Sequence, residues 1–439
     1  MNMYKVDDFV NSELNRQKIP GIAAGIFKNG KPLHLKGYGL SNIEHNVPVL
    51  TNTVFQTASI GKMFTAMAVM ILVEDKKLIL DESIKNYLPN APADWQPITL
   101  RHLLTHTAGL GATDIDVKQE YSDEEYLEQH YSTPIDFPAG TRWSYSNTGY
   151  SILGFIVNNV ANLKYWQILE ERIFKPASMH TARILSDTDI VMNRSAGYES
   201  IDGELKNQQW TSASANTLAE GSLYMSLEDY LKWNAIISTR GILSQQSWDQ
   251  ILTPVQLNNG QSYPYGFGWD IQSINNQLVI GHEGSWQGFR TAFLRYEKDN
   301  IAFTVLANSS NANVGEILNG IAERYDSNFK RNNDCLIYDE FPLLTLELVT
   351  EIEKIADHGV SDKVETNIDG ISLVKAAILL KKQGILNQLK LIQNQPNGNH
   401  FDRVYKANCV NNVMTIYASF DKDLMQVHSI FIYTEERQI

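Results

Sequence analysis

The chain has 439 residues, of which 43% are hydrophobic, 20% charged and 10% aromatic, a balance that excludes intrinsic disorder. Its 50 acidic residues outweigh 37 basic ones for a net charge of -13, and no local block of Lys and Arg reverses the sign, so nucleic acid and anionic lipid surfaces are not expected partners. The length exceeds that at which one hydrophobic core stops growing, which predicts two domains or one large domain with an appendage.

Met1 to Val10 carries Asp7 and Asp8 and lacks a basic segment followed by an apolar one, so no signal peptide is expected there and the compartment stays open, periplasmic or extracellular after trimming and otherwise cytoplasmic. Val6, Phe9, Val10 and Leu14 recur at helical spacing, which predicts an opening amphipathic helix ending before Pro20. Gly21 to Phe27 reads as a buried strand and Lys31 to Tyr38 as its return, joined by Asn29-Gly30, a pair that tolerates the positive φ of a tight hairpin turn. From Ile60 to Lys77 apolar residues cover nearly the whole helical circumference, which predicts a helix enclosed by protein. Its apolar run, Met63 to Val73, is interrupted by Thr65 and falls short of the roughly 20 residues that span a bilayer.

Residues 81–269 mix helical patterns with loops rich in Pro, Gly, Asn and Ser, and are expected to be an all-helical insertion. Leu278 to His282, Phe289 to Tyr296 and Ile301 to Asn308 form an antiparallel meander, followed by a helix with Val314, Ile317, Leu318 and Ile321 on its apolar face. The simplest assembly is an α/β (α+β) fold in which the two early and three late strands make one five-stranded antiparallel sheet flanked by the first and last helices. This first domain is expected over 1–330, a linker over 331–342, and a small α+β domain over 343–439, helical to Gly384 and then with strands at Val404–Cys409, Met414–Phe420 and Val427–Tyr433. Cys335 and Cys409 lack the close His or Cys neighbours of zinc sites, and whether they pair stays open.

Ser59-Ile60-Gly61-Lys62 sets an amine one helical turn after a hydroxyl, so both side chains lie on one side of the helix head. A serine hydroxyl becomes a nucleophile when a neighbouring base takes its proton, and a desolvated lysine is such a base. The spacing alone is unspecific, because Ser327 and Lys330, Ser372 and Lys375, and Ser419 and Lys422 share it. Two other segments single out Ser59. Tyr145-Ser146-Asn147 is the only Tyr-x-Asn among 20 tyrosines, His282-Glu283-Gly284 is the only His-x-Gly among ten histidines, and they follow Ser59 in that order. Taken singly, each has a plainer account: a helix cap, a packed ring in a turn, a satisfied histidine at a strand end.

Together the three motifs resemble those of the serine penicillin-binding proteins and class C β-lactamases, with their esterase and D-aminopeptidase relatives. Leu103-Leu104-Thr105-His106-Thr107-Ala108-Gly109-Leu110 and Tyr265-Gly266-Phe267-Gly268-Trp269 extend the likeness, which runs from about Val6 to Tyr325. The resemblance implies a β-lactamase/transpeptidase-like fold and an acyl-enzyme mechanism in which Ser59 attacks a carbonyl. Lys62 and Tyr145, one of them deprotonated, act as base and then reprotonate the leaving group, and which one is the resting base stays open. A cationic Lys62 and His282 nearby would be needed to lower the Tyr145 hydroxyl from its usual pKa near 10.

The resemblance also implies that Asn147 holds the amide or ester side of the substrate, that His282 and Gly284 line the approaching strand, and that the N–H groups of Ser59 and Ser285 form an oxyanion hole worth about 3 kcal/mol per donor. Glu283 departs from the threonine or serine usual there. Pointing into the cleft, its carboxylate would repel a substrate carboxylate and favour esters, amides or substrates with a free amine. His106 is read as a structural hydrogen-bonding histidine. No Gly-x-Ser-x-Gly elbow, zinc motif or dinucleotide fingerprint occurs, so no cofactor or metal is expected.

Two function classes follow: a hydrolase of ester, amide or D-amino-acid peptide bonds with weak β-lactam binding or hydrolysis as a side activity, and a catalytically idle penicillin-binding-fold sensor or scaffold. The joint presence of Ser59, Lys62 and Tyr145 favours the enzyme. The expected partner is a small-molecule or peptide substrate. The C-terminal domain, whose helices followed by curved strands resemble the cone-shaped nuclear-transport-factor-like fold, is assigned to substrate gating, homo-oligomer contact or stability.

Overall fold

The computed structural model describes residues 3–436 apart from 112, 114, 185–188, 202, 261, 275–276, 331–341, 361–369, 383, 385, 387–388, 398–399, 409–411 and 422–425. It divides into two compact units, the first comprising Met1–Val255 and Pro264–Arg331, the second Gln256–Tyr263 and Asn332–Ile439. Residues 331–341 of the expected linker, together with Cys335 and Cys409, lie outside the described residues.

The first unit opens with helix α1 (Tyr4–Arg16), which buries Val6 and Val10. Strands β1 (Gly21–Lys28) and β2 (Lys31–Asn42) follow, joined by Asn29 at φ 52° and Gly30 at φ 71°, the left-handed pair that matches the twist of a two-residue hairpin. After β3 (Val47–Pro48) comes α2 (Gly61–Glu74), in which every residue from Gly61 to Leu72 is buried. Helices α3 (Asn147–Ala161) and α4 (Leu227–Thr239) belong to the long insertion. Strands β4 (Asp270–Ile274), β5 (Gln277–Trp286), β6 (Phe289–Tyr296) and β7 (Ile301–Ala307) precede α5 (Val314–Tyr325).

These strands make one antiparallel sheet in the order β4-β5-β6-β7-β1-β2-β3. Side-chain alternation assigns its faces. Ile280, Phe293, Ala302 and Leu306 join the core shared with α2, α3 and α4, while Val279, Ala292, Leu294, Phe303 and Val305 join the core shared with α1 and α5. The sheet is therefore a wall between two helical layers, and the face toward α2 is the one that can meet Ser59.

The sheet has seven strands where five were expected. The two additions are its edges: β3 is a dipeptide ending in Pro48, and β4 buries only Ile271 and has no apolar run, so neither carries the signature of a central strand. The insertion is not all-helical either. Within it Leu223–Ser226 pairs with Arg183–Ile184 and with Val54–Gln56 from before the insertion, and Tyr198–Ile201 pairs with Glu204–Asn207. Between these strands Gly203 takes φ 80°, the left-handed conformation that a tight turn uses.

The second unit contains α6 (Pro342–His358), α7 (Gly370–Lys382) and a four-stranded antiparallel meander, β8 (Lys390–Asn397), β9 (His400–Asn408), β10 (Asn412–Asp421) and β11 (Val427–Glu436). Leu348, Ile352, Leu373, Ala377, Ile416 and Ile430 lie in its own core. Its first strand, KLIQNQPN, is too polar to read as one from sequence. Among the described residues no helix is long and apolar enough to cross a membrane.

Candidate active site

Ser59 lies in a single 3-10 turn, Ala58–Ile60, that feeds directly into α2. Ala58 takes φ 50°, a left-handed conformation that costs an alanine energy and persists only where its surroundings impose it. Those surroundings are β5 and β6. Thr291 donates its hydroxyl to the Thr57 carbonyl at 2.7 Å, and Gly284 sits so close that a Cβ there would fall 2.2 Å from that same oxygen and 3.2 Å from the Ala58 Cβ. The sheet thus holds the serine turn through contacts that only a glycine on β5 permits.

Lys62 is fully buried, and its Nζ lies 3.2 Å from Ser59 Oγ, 2.8 Å from Asn147 Oδ1 and 2.7 Å from the Glu220 carbonyl. Burial pushes its pKa from the ordinary 10.5 down to about 7, with the Glu220 charge opposing the shift. The Tyr145 and Tyr150 rings stand 4.9 Å and 5.4 Å from the amine. The segment around Glu220 is itself held: Thr65 donates to the Ala219 carbonyl at 2.6 Å and Ser151 donates to the Glu220 carboxylate. Sequence reasoning missed Glu220 because a backbone carbonyl has no residue signature.

Asn147 is the first residue of α3, whose N-cap Ser146 accepts from the Gly149 N–H at 3.1 Å. Tyr145 precedes the cap and exposes 40% of its surface, yet burial still raises its hydroxyl above the usual 10, opposed by a hydrogen bond to Ser59. The acidic Asp270 and Glu220 push it further up. His282 is buried on the α2 face, and burial together with the Lys62 charge lowers it to about 4, so its ring is neutral near pH 7. The cationic His282 that would depress Tyr145 is therefore absent. Tyr265, from the Tyr-Gly-Phe-Gly-Trp segment, joins His282 Nε2 at 3.1 Å to His106 Nε2 at 3.2 Å, a link that neither motif announces by itself.

Ser59, Lys62, Tyr145 and Asn147 come together, with His282 and Gly284 on the adjoining strand. Glu283 does not join them. Strand alternation turns it to the opposite face, where its Oε1 lies 2.7 Å from where a Cβ on Gly315 would stand, at the start of α5. That face, shared with Asp270 and Gly281, opens on a cavity of about 280 Å³ also lined by Leu294 and Asn319. Burial and the neighbouring Glu283 charge raise Asp270 to about 7. The cleft-facing carboxylate considered for Glu283 is thus not the conformation adopted. Ser285 is exposed on the same strand, one residue beyond Gly284.

A serine at the head of a buried helix, its lysine neighbour enclosed between a helical layer and an antiparallel sheet, is the arrangement of the serine hydrolases of the β-lactamase fold. A family model described as Beta-lactamase matches residues 6–324, and the chain belongs to that family. It is 27% identical over 299 residues to penicillin-binding protein 4* of Bacillus subtilis (strain 168), covering 61% of this chain and 64% of that one. It is 26% identical over 309 residues to a D-aminopeptidase of Gluconobacter oxydans (strain 621H), covering 67% of this chain and 56% of the relative. Neither relative is spanned over two thirds of its own length. Among solved structures, an octameric penicillin-binding protein homologue from Pyrococcus abyssi superposes with a TM-score of 0.68 at 22% identity over 96% of both chains.

Gly284→Ala tests the close approach of β5 to the serine turn. The added methyl has no room against Thr57 and Thr291, and the variant is expected to lose about 1–3 kcal/mol of stability in urea unfolding. An unchanged transition midpoint contradicts this packing.

Proposed function

We propose that this protein is a hydrolase that forms an acyl-enzyme at Ser59 and acts on ester, amide or D-amino-acid peptide bonds, with β-lactams as slow side substrates. One observation carries the reading: two of the three partners of Lys62 Nζ, the Asn147 amide oxygen and the Glu220 carbonyl, can only accept hydrogen bonds. A neutral amine spends both of its hydrogens on them and turns its lone pair to Ser59 Oγ, the third partner. Burial that holds Lys62 at about 7 makes this neutral form available near physiological pH.

In this mechanism Ser59 Oγ bonds to the substrate carbonyl carbon as its proton passes to Lys62 Nζ. The Tyr145 hydroxyl, held protonated by its raised pKa, donates to the departing group and is resupplied from Lys62. The N–H groups of Ser59 and Ser285 receive the oxyanion, and Asn147 orients the acyl side. Water then attacks the ester by the reverse route. Lys62 is the resting base and Tyr145 the proton donor.

Intact-mass spectrometry after exposure to a fluorophosphonate tests the nucleophile and the base together. A single adduct is expected on the native protein and none on Ser59→Ala. A protonated amine cannot accept the serine proton, so the labelling rate should level off above pH 7 and fall about tenfold per pH unit below it. Absence of the adduct overturns the nucleophile, and a rate flat from pH 5 to 9 overturns Lys62 as base.

We also propose that the second unit, expected over 343–439, serves homo-oligomer contact. The support is that the likeness to the octameric homologue extends over 96% of the chain, this unit included. Light scattering of the full chain should give a mass that is a multiple of the chain mass, and a monomer contradicts the assignment.

A further inference from the structure

Two walls of the cleft are far apart in sequence: the turn carrying Tyr145, and β5 carrying His282. His106 grips the first wall on both sides of the tyrosine. Its carbonyl accepts from the Ser144 N–H at 2.9 Å, and its Nδ1 accepts from the Ser146 N–H at 3.1 Å. Between these bonds the Tyr145 ring lies against the imidazole with centroids 4.4 Å apart. His106 takes φ 58° to make this double contact, a conformation uncommon for histidine.

The remaining ring nitrogen reaches the second wall, and the hydrogen on each imidazole is assigned by its neighbours. The Ser146 bond occupies the Nδ1 lone pair, so neutral His106 carries its hydrogen on Nε2 and donates to the Tyr265 hydroxyl oxygen at 3.2 Å. At the far end His282 Nδ1 lies 2.5 Å from the Glu283 carbonyl, which can only accept, so its Nε2 is bare and receives the Tyr265 hydrogen at 3.1 Å. His106 and Tyr265 are each 1% exposed and His282 6%. Burial drives both imidazoles well below the usual 6.5, the Lys62 charge adding to it, which keeps both rings neutral near neutral pH.

We propose that His106 and Tyr265 are positioning residues for the acylation step: the bracket on Tyr145 and the one-way chain to His282 fix the phenol against Ser59 and set the separation of the two cleft walls. This rests on the reading of Ser59 as nucleophile. A purely structural role for the pair would lower stability and leave the acylation rate of folded protein unchanged, whereas a misplaced Tyr145 lowers that rate with the fold intact.

Two conservative variants cut the same link from opposite ends. Tyr265→Phe keeps the ring and removes the hydroxyl. His106→Asn keeps an acceptor near the Nδ1 position and tolerates the positive φ, but removes the Nε2 donor. Each is expected to slow fluorophosphonate labelling of the folded protein about tenfold and to lower kcat on a chromogenic ester with KM within about twofold. The double variant should be no slower than the slower single one, because one link is lost only once.

Wild-type labelling rates in a folded Tyr265→Phe, or rate losses that multiply in the double variant, overturn the proposal; should His106→Asn fail to fold, Tyr265→Phe alone decides. If the native protein itself takes no label, the nucleophile reading fails and this inference falls with it. If the native protein labels and Tyr265→Phe labels as fast, only this inference fails.

Discussion

The amine of Lys62, removed from water and shared among three oxygen atoms, is the constraint on which the candidate site depends. An ammonium in that position loses its hydration, and lowering its pKa from 10.5 to about 7 corresponds to on the order of 5 kcal/mol of bias toward the neutral form. That bias exists because α2 is apolar around its whole circumference and is enclosed on all sides. A helix with one wet face would carry the same Ser-x-x-Lys spacing and an ordinary lysine.

The three oxygens come from three segments, and each is fixed by a different device. Asn147 is set by the Ser146 cap of α3, the Glu220 carbonyl by bonds from Thr65 and Ser151 to its own segment, and Ser59 by a strained turn that Gly284 and Thr291 hold from the sheet. The sheet is therefore more than a scaffold. Its α2 face shapes the serine turn, its His282 ties back through Tyr265 to the tyrosine turn, and its other face keeps the Asp270 and Glu283 carboxylates away from the nucleophile.

Much of this was legible in the sequence, and the parts that were not have identifiable reasons. The hairpin at Asn29-Gly30, the enclosed helix after Ser59 and the amphipathic α5 announce themselves by turn chemistry and period. The grouping of Ser59, Lys62, Tyr145 and Asn147 came from unique motifs in order. The edge strands β3 and β4 escaped because an edge needs no apolar run, and the pairing of Tyr198–Ile201 with Glu204–Asn207 because these strands are largely exposed. The orientation of Glu283 follows from parity along β5, but which parity meets Ser59 is a tertiary fact. Glu220 acts through its carbonyl, and His106 and Tyr265 act through a link that closes only when two distant segments fold together.

The most direct test of this account is the protonation of Lys62 itself, followed by the NMR shifts of labelled lysine side chains as pH is varied, with the resonance assigned by its loss in Lys62→Gln. The account predicts one lysine that titrates near pH 7 while exposed lysines titrate near their ordinary 10.5. A Lys62 that stays protonated to pH 10 contradicts it.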